Sequence, residues 1–389
     1  MARQSKRRNA IERGGLGSGM MSELSSDLGE TPSAAEEGAV AGSDLQTELS
    51  RLDVRTAVAA RHEQAKPRWV GAIPPFMAPE AGRVLAAAAA GIAGAAAANV
   101  YLARRVERRH PPSGRSLSID GVRIHYLEAG EGLPVVLLHG NVVTAEDFVL
   151  SGAFERLASR YQVIAFDRPG YGYSKRPRGK SWTPGAQAAL LRQALERRGI
   201  ARAVVVGHSF GALVALALAL DHPHAVRGLA LLSGYYYPTG RVDVPLFAPP
   251  AIPVLGDLMR YTISPLLGRA MMPFVVKGMF APRPVPEQFS KGFPYGMAVR
   301  PWQIRAEVQD AAVMIPAAQA ASAGYGGLMM PVAIMAGARD RVIDVGRHAG
   351  RLHREIPHST LRLVPDAGHM VHHAAPEQVL QAVTEVAAA

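Results

Sequence analysis

The chain has 389 residues, 48% of them hydrophobic, which is enough for a sizeable core in one large domain or two smaller ones. Its formal charge of +11 is scattered, with no basic cluster interleaved with aromatics, and this argues against nucleic-acid recognition. No cysteine is present, which excludes a disulfide framework, a cysteine nucleophile and thiolate metal ligands.

Residues 1–82 read as a low-complexity tail. It opens on Lys6-Arg7-Arg8 and runs to about residue 42 in Gly, Ser and acidic residues, too poor in large apolar side chains to build a core. Leu45, Leu49 and Leu52 then recur at helical spacing after Ser43, which predicts a short amphipathic helix, and Pro67 to Pro79 is a proline-rich break. Met20, Met21 and Met77 are alternative starts.

Residues 83–110 predict a membrane-anchor helix with a basic flank. Val84 to Ala103 is uncharged, is bounded by Arg83 and by Arg104-Arg105-Val106-Glu107-Arg108-Arg109, and has the length of a span. Its alanines contribute little to insertion, so an Ala-rich helix lying on a soluble domain is one alternative, and a signal peptide cleaved near the small residues around Ala98 is another. The basic residues gather on the C-terminal flank, which by the positive-inside rule predicts a cytoplasmic catalytic part.

From about Arg115 strands alternate with helices. Ser116–Tyr126 predicts a hairpin turning at Asp120-Gly121, Pro134–Leu138 a buried strand, Ala145–Ser159 a helix and Tyr161–Phe166 a strand. Thr183–Arg198 predicts a helix, Ala203–Val206 a strand, Ser209–Leu220 a helix and Val226–Leu232 a strand. A long insertion, residues 235–328, precedes the strand Pro331–Ala336, the helix Val345–Glu355, the strand Thr360–Val364 and a last helix from Pro376. Continuous apolar strands separated by helices predict an α/β fold, a mostly parallel sheet covered on both faces. The core is thus expected in two parts, 115–234 and 329–389, with the insertion 235–328 as a helical cap.

The stretch that concentrates chemistry is Gly207-His208-Ser209-Phe210-Gly211, between a β-branched strand and an Ala/Leu-rich helix. In that setting G-x-S-x-G forms a nucleophile elbow. The serine sits at the tip of a strained turn, and the glycines leave room for strand and helix to approach. Three further motifs accompany it in order: His139-Gly140-Asn141, Asp167-Arg168-Pro169-Gly170-Tyr171-Gly172-Tyr173-Ser174 and Asp366-Ala367-Gly368-His369. Together they resemble the α/β-hydrolase superfamily over roughly residues 115–389.

The resemblance implies an eight-stranded sheet with a cap between strands six and seven, and a triad of Ser209, Asp340 and His369. It implies an oxyanion hole from the backbone N–H groups of Phe210 and Asn141, with Gly207, Gly211, His139 and Gly140 supporting the turns. Among competitors, Asp344 is expected to cap the following helix. Asp366 is too close in sequence to His369 to reach the far side of its ring. His372 and His373 are expected as ordinary surface or supporting residues, and Asp167 as a loop brace. His-Gly-Asn also resembles the haloalkane dehalogenases, but those enzymes and the epoxide hydrolases use an aspartate where this chain has Ser209.

The implied reaction is hydrolysis of a small carboxylic ester without metal or organic cofactor. Thioester, lactone or carbon–carbon hydrolysis and acyl transfer run on the same triad. The other class is a non-catalytic membrane-linked binding protein on the same fold. Pro265-Leu266-Leu267 and Met271-Met272-Pro273-Phe274 in the cap are expected to roof the pocket with apolar surface for a hydrophobic acyl or alkyl group.

Overall fold

The computed structural model describes residues 78–240 and 254–389. The predicted tail, its short helix and the proline-rich break therefore lie outside the described residues, apart from the start of the first helix. That helix, α1 (Ala78–Arg109), is longer than the uncharged segment because good helix formers continue on both sides.

The hairpin β1 (Arg115–Ile119) and β2 (Val122–Ala129) turns where expected. Asp120 and Gly121 both have positive φ, the requirement of a tight two-residue turn whose twist matches the strands. β3 (Pro134–Leu138) leads to the loop 139–145, and then the predicted single helix 145–159 comes as two. α2 (Glu146–Leu150) and α3 (Ala153–Ala158) are separated at Gly152, whose φ of 73° no helix accommodates. β4 (Gln162–Phe166), α4 (Pro184–Arg197), β5 (Ala203–His208), α5 (Phe210–Asp221) and β6 (Val226–Leu232) follow as read from sequence.

The described part of the insertion holds α6 (Leu255–Tyr261), α7 (Ser264–Phe280), α8 (Glu287–Gly292), α9 (Tyr295–Ala298) and α10 (Pro301–Ser322). β7 (Val332–Gly337), a turn of wide helix at Gly346–Gly350 leading into α11 (Arg351–Glu355), β8 (Thr360–Val364), α12 (Val371–Ala374) and α13 (Pro376–Ala388) complete the chain.

The eight strands lie in the order β1-β2-β4-β3-β5-β6-β7-β8. β2 runs antiparallel to β1 and β4, and all other pairs are parallel. β3, β5, β6 and β7 are apolar and buried along their whole length or nearly so, the pattern of strands covered on both faces. The chain leaves β3 for β4 on one side and β5 for β6 on the other. The adjacent carboxyl ends of β3 and β5 are therefore the topological switch point, where α/β sheets open a crevice.

Candidate active site

The elbow occupies that crevice. Ser209 lies between β5 and α5 with φ 54° and ψ −119°, a region L-residues rarely adopt. The glycines explain how the turn closes. A Cβ on Gly207 would sit 2.5 Å from the Ala212 Cα, and one on Gly211 would sit 2.2 Å from the Leu138 carbonyl oxygen. Only hydrogen fits at either place.

Three residues far apart in sequence meet here. His369, in the loop after β8, has Nε2 2.9 Å from the Ser209 Oγ and Nδ1 2.8 Å from an Asp340 carboxylate oxygen. With Asp340 ionised, Nδ1 carries the proton, leaving Nε2 to accept from the serine hydroxyl. Asp340 is anchored in turn. Its other oxygen accepts from the N–H groups of Val342 (2.8 Å) and Ile343 (3.0 Å). Burial by itself would raise the Asp340 carboxyl. The His369 imidazole and those two N–H groups outweigh it and hold the group below the usual carboxylate range.

The competitors sort as follows. Asp344 Oδ1 accepts from the Arg347 N–H at 2.7 Å, an N-terminal cap as expected. Asp366 is exposed and pairs with Arg339. Asp167 is the expected brace: it accepts from the N–H groups of Ala145 and Tyr173 and pairs with His125 at 2.8 Å. Of the two alternatives for His372 and His373, surface or supporting residues, the surface one fails, because both side chains are buried. Each places Nε2 against a different oxygen of the fully buried Asp147, at 2.7 and 2.8 Å. Burial works against the Asp147 charge, but the two imidazoles more than offset it and the carboxyl is held far below its ordinary range. Asp147, His208 and His372 bring possible metal-donor atoms within 4.8 Å of one another, yet both Asp147 oxygens are already engaged by the imidazoles.

Phe210 is the first residue of α5, so its N–H has no partner one turn back and points free at the end of the helix dipole. Asn141 stands on the opposing loop after β3. Its amide oxygen is held by Arg168 (2.7 Å) and the Tyr171 hydroxyl (3.0 Å), which ties this side chain to the protein. The next residue, Val142, has φ 73°, a strained position for a β-branched side chain. The loop is pinned from above by the Gln303 Nε2, which donates to the Val142 carbonyl at 3.1 Å.

His139 supports the same loop and is not a base. Its Nε2 accepts from the Arg168 N–H at 2.9 Å, so Nδ1 donates to the Gly140 carbonyl at 2.7 Å. Burial, helped by the Arg168 charge, lowers its pKa to about 4 and keeps it neutral. A Cβ on Gly140 would meet the Ser209 Cβ at 2.9 Å, so the two loops touch where the reacting atom would sit.

Sequence reading missed what locks this loop in place. The buried Arg168 guanidinium donates to the His139, Gly140 and Asn141 oxygens and to Gln187. It also pairs with Asp310 of α10 at 2.5 Å, and Arg176 reaches the other Asp310 oxygen at 2.9 Å. Asp310 is fully buried between the two cations. An aspartate on this helix carries no sequence signal of its partners, which are more than 130 residues away in the chain.

The insertion also departs from expectation. Met272, Val276, Met279 and Phe280 pack inward with Val143 and Met370, the residues beside the loop after β3 and beside His369. Leu266, Leu267, Met271 and Phe274, expected to roof the pocket, face outward instead, with Phe274 77% exposed. Tyr235, Tyr236 and Tyr237 are not part of the roof either. They are buried around His348 beneath it.

A family model described as the alpha/beta hydrolase family matches residues 135–382. The chain belongs to that family. It is 34% identical over 125 residues to a 2-hydroxymuconate semialdehyde hydrolase of Pseudomonas putida, covering 32% of this chain and 44% of that protein. It is 27% identical over 139 residues to haloalkane dehalogenase 2 of Mycobacterium bovis, covering 36% and 48%. The matches thus span about half the length of these curated relatives. Among solved structures, a bacterial membrane phospholipase A aligns with a TM-score of 0.57 at 23% identity, covering 81% of this chain and all of that one. At that identity the likeness speaks for the shared fold.

Proposed function

We propose that this α/β hydrolase cleaves a carboxylic ester with an apolar acyl or alkyl group through an acyl-Ser209 intermediate. The hydrogen-bond relay Ser209 Oγ to His369 Nε2, and His369 Nδ1 to Asp340, is the observation that carries the reading. Ser209 Oγ bonds to the ester carbonyl carbon as its proton passes to His369 Nε2. Asp340 holds the ring and balances the imidazolium. The oxyanion is stabilised by the N–H groups of Phe210 and Asn141. When the carbonyl re-forms, the ester C–O bond breaks and the alkoxide takes the proton from Nε2. Water then attacks the acyl carbon, giving its proton to Nε2, and collapse returns that proton to Ser209 Oγ and releases the acid.

A serine in the place that alkyl attack requires to be aspartate favours acyl chemistry over the dehalogenase reaction of the second relative. The apolar cluster of Met272, Val276, Met279 and Phe280 beside Val143 and Met370 favours a hydrophobic substituent. α1 supplies the anchor. Residues Glu80–Arg109 have a mean hydropathy of 1.6 over their most apolar window, of which 6% is buried, and the basic flank from Arg104 favours a cytoplasmic catalytic part.

The test is labelling with a fluorophosphonate followed by mass spectrometry of the modified peptide, in wild type, Ser209→Ala and His369→Ala. Label on Ser209 that disappears in both variants, with ester turnover falling by roughly 10⁴-fold or more, is the expected result. Folded wild type that takes no label, or Ser209→Ala with turnover near wild type, would remove the nucleophile assignment.

A further inference from the structure

The helix α7 is apolar on two opposite faces. Pro265, Met272, Val276 and Met279 point into the protein. Ile263, Leu266, Leu267, Met271 and Phe274, which fall within one stripe at helical periodicity, are all exposed, as is Leu258 of the neighbouring α6. A helix apolar all round is normally buried all round, and a contiguous exposed patch of large aliphatic and aromatic residues marks an interaction surface.

The position of α1 identifies the partner. Its C-terminal part is docked on this region of the cap. The Asn99 Nδ2 donates to the carbonyls of Tyr261 (3.0 Å) and Thr262 (2.7 Å), the connection between α6 and α7. Below that point Ala103 is buried, and Glu107 pairs with the buried Arg300 at 2.9 Å. Above it residues 80–94 are exposed along every face, 95 and 96 are partly covered, and 97 and 98 are exposed. Residues 80–98 make about 28 Å of helix, close to the ~30 Å hydrocarbon thickness of a bilayer. If they span it, the bilayer surface lies at Asn99, level with the α6–α7 connection from which the exposed stripe starts. Tyr101, 58% exposed, then falls at the depth favoured by interfacial aromatics, and Arg104 and Arg105, about 8–9 Å beyond Asn99, fall near that of anionic headgroups.

We propose that the outer face of α6 and α7 is a membrane-insertion surface, and that the substrate is an ester dissolved in the lipid and drawn from the bilayer beneath the cap. This rests on the ester hydrolase reading and on α1 as the anchor. The inner face of the same helix reaches the chemistry: the Met279 carbonyl accepts from the His369 N–H at 3.0 Å and from the Met370 N–H at 3.3 Å. A helix seated in lipid on one side therefore holds the triad histidine loop on the other.

Because the chain has no cysteine, single labels are clean. Full-length Leu85→Cys, Leu266→Cys, Phe274→Cys and Ser118→Cys, each carrying an NBD fluorophore, are reconstituted in phosphatidylcholine–phosphatidylglycerol vesicles with or without brominated acyl chains. The expected result is bromolipid quenching at positions 85, 266 and 274 and none at 118. Quenching at 85 alone overturns the insertion surface while leaving the anchor standing. A blue shift at 266 and 274 without quenching overturns it in favour of a protein contact. No quenching at 85 removes the anchor itself, and the inference with it.

A second measurement separates delivery from catalysis. The triple variant Leu266→Ser/Leu267→Ser/Phe274→Ser should lose roughly 100-fold in hydrolysis of a long-chain ester embedded in those vesicles, the equivalent of about 3 kcal/mol shared over the three apolar side chains. It should keep wild-type turnover of a short, water-soluble ester. Equal loss on both substrates, or no loss on either, overturns the delivery role. A wild type inactive on every ester sinks the hydrolase reading, and the quenching result then judges the surface independently.

Discussion

Asp310 is the residue whose removal tests most directly how α10 holds the loop after β3. Its carboxylate is fully buried and lies 2.5 Å from the Arg168 and 2.9 Å from the Arg176 guanidinium nitrogens, both of which are buried as well. Two opposite charges about 4 Å apart attract by about 4 kcal/mol at an effective dielectric of 20. Desolvation offsets most of that in the intact pair, but truncating one partner leaves buried charge uncompensated, at a cost of about 3–5 kcal/mol. Here two cations are orphaned by one change, and the Gln187 and Tyr171 bonds to the same carboxylate are lost too, so the upper end applies. Asp310→Ala should therefore lower the chemical-denaturation free energy by about 5 kcal/mol and the melting temperature by roughly 10–20 °C. Asp310→Asn, which keeps one acceptor, should lie between. Activity should fall further than folding explains, because Arg168 also grips the His139, Gly140 and Asn141 oxygens. Measured in the folded fraction with a p-nitrophenyl ester, kcat should drop with little change in KM, since oxyanion contacts strengthen in the transition state. An Asp310→Ala protein within 1 kcal/mol of wild type, or one with unchanged kcat, would refute the reasoning.

Glu307, one turn before Asp310 on α10, has its pKa pushed up to about 8, chiefly by burial. Its unfolded carboxyl titrates near 4.5, so the native state gives up this proton later and loses stability as pH rises from about 4.5 to 8. Glu307→Gln should melt progressively higher than wild type across that window and match it below; a pH-independent difference would contradict the assignment. Gly211→Ala should fail to fold or lose more than about 3 kcal/mol, because the added Cβ meets the backbone oxygens of Leu138 and His139 at 2.2 and 2.7 Å, and near wild-type melting would show that the elbow can widen. Truncation sorts the two halves of α1. A chain starting after residue 98 should leave the membrane fraction and keep its fold and activity. One starting after 110 should be destabilised, having lost the Asn99 contacts and the Glu107 partner of buried Arg300. Equal stability of the two would mean the docked half contributes nothing.

Much of this protein is legible in one dimension. The uninterrupted apolar run from Ala203 to Val206, the glycines at 207 and 211 and the Asp120-Gly121 turn are local devices, each dictated by backbone sterics or by burial on both faces of a sheet. The meeting of Ser209, Asp340 and His369 is implied by the family resemblance, and it accords with motifs that follow parallel strands, whose carboxyl ends share one edge; the strand order is decided only in the assembled sheet. Other features depend on contacts that neighbouring residues do not announce. Gly152 breaks a helix that periodicity draws as continuous. His372 and His373 look like surface histidines until α12 places them on the buried Asp147. Asp310 looks solvated until α10 lays it between Arg168 and Arg176. Both faces of α7 are apolar, and only the packing of the insertion decides that Met272 points inward and Phe274 outward. Periodicity states that a face is apolar. Which apolar face meets the core and which is left exposed is settled by the volume available beneath it, a property of the assembled fold.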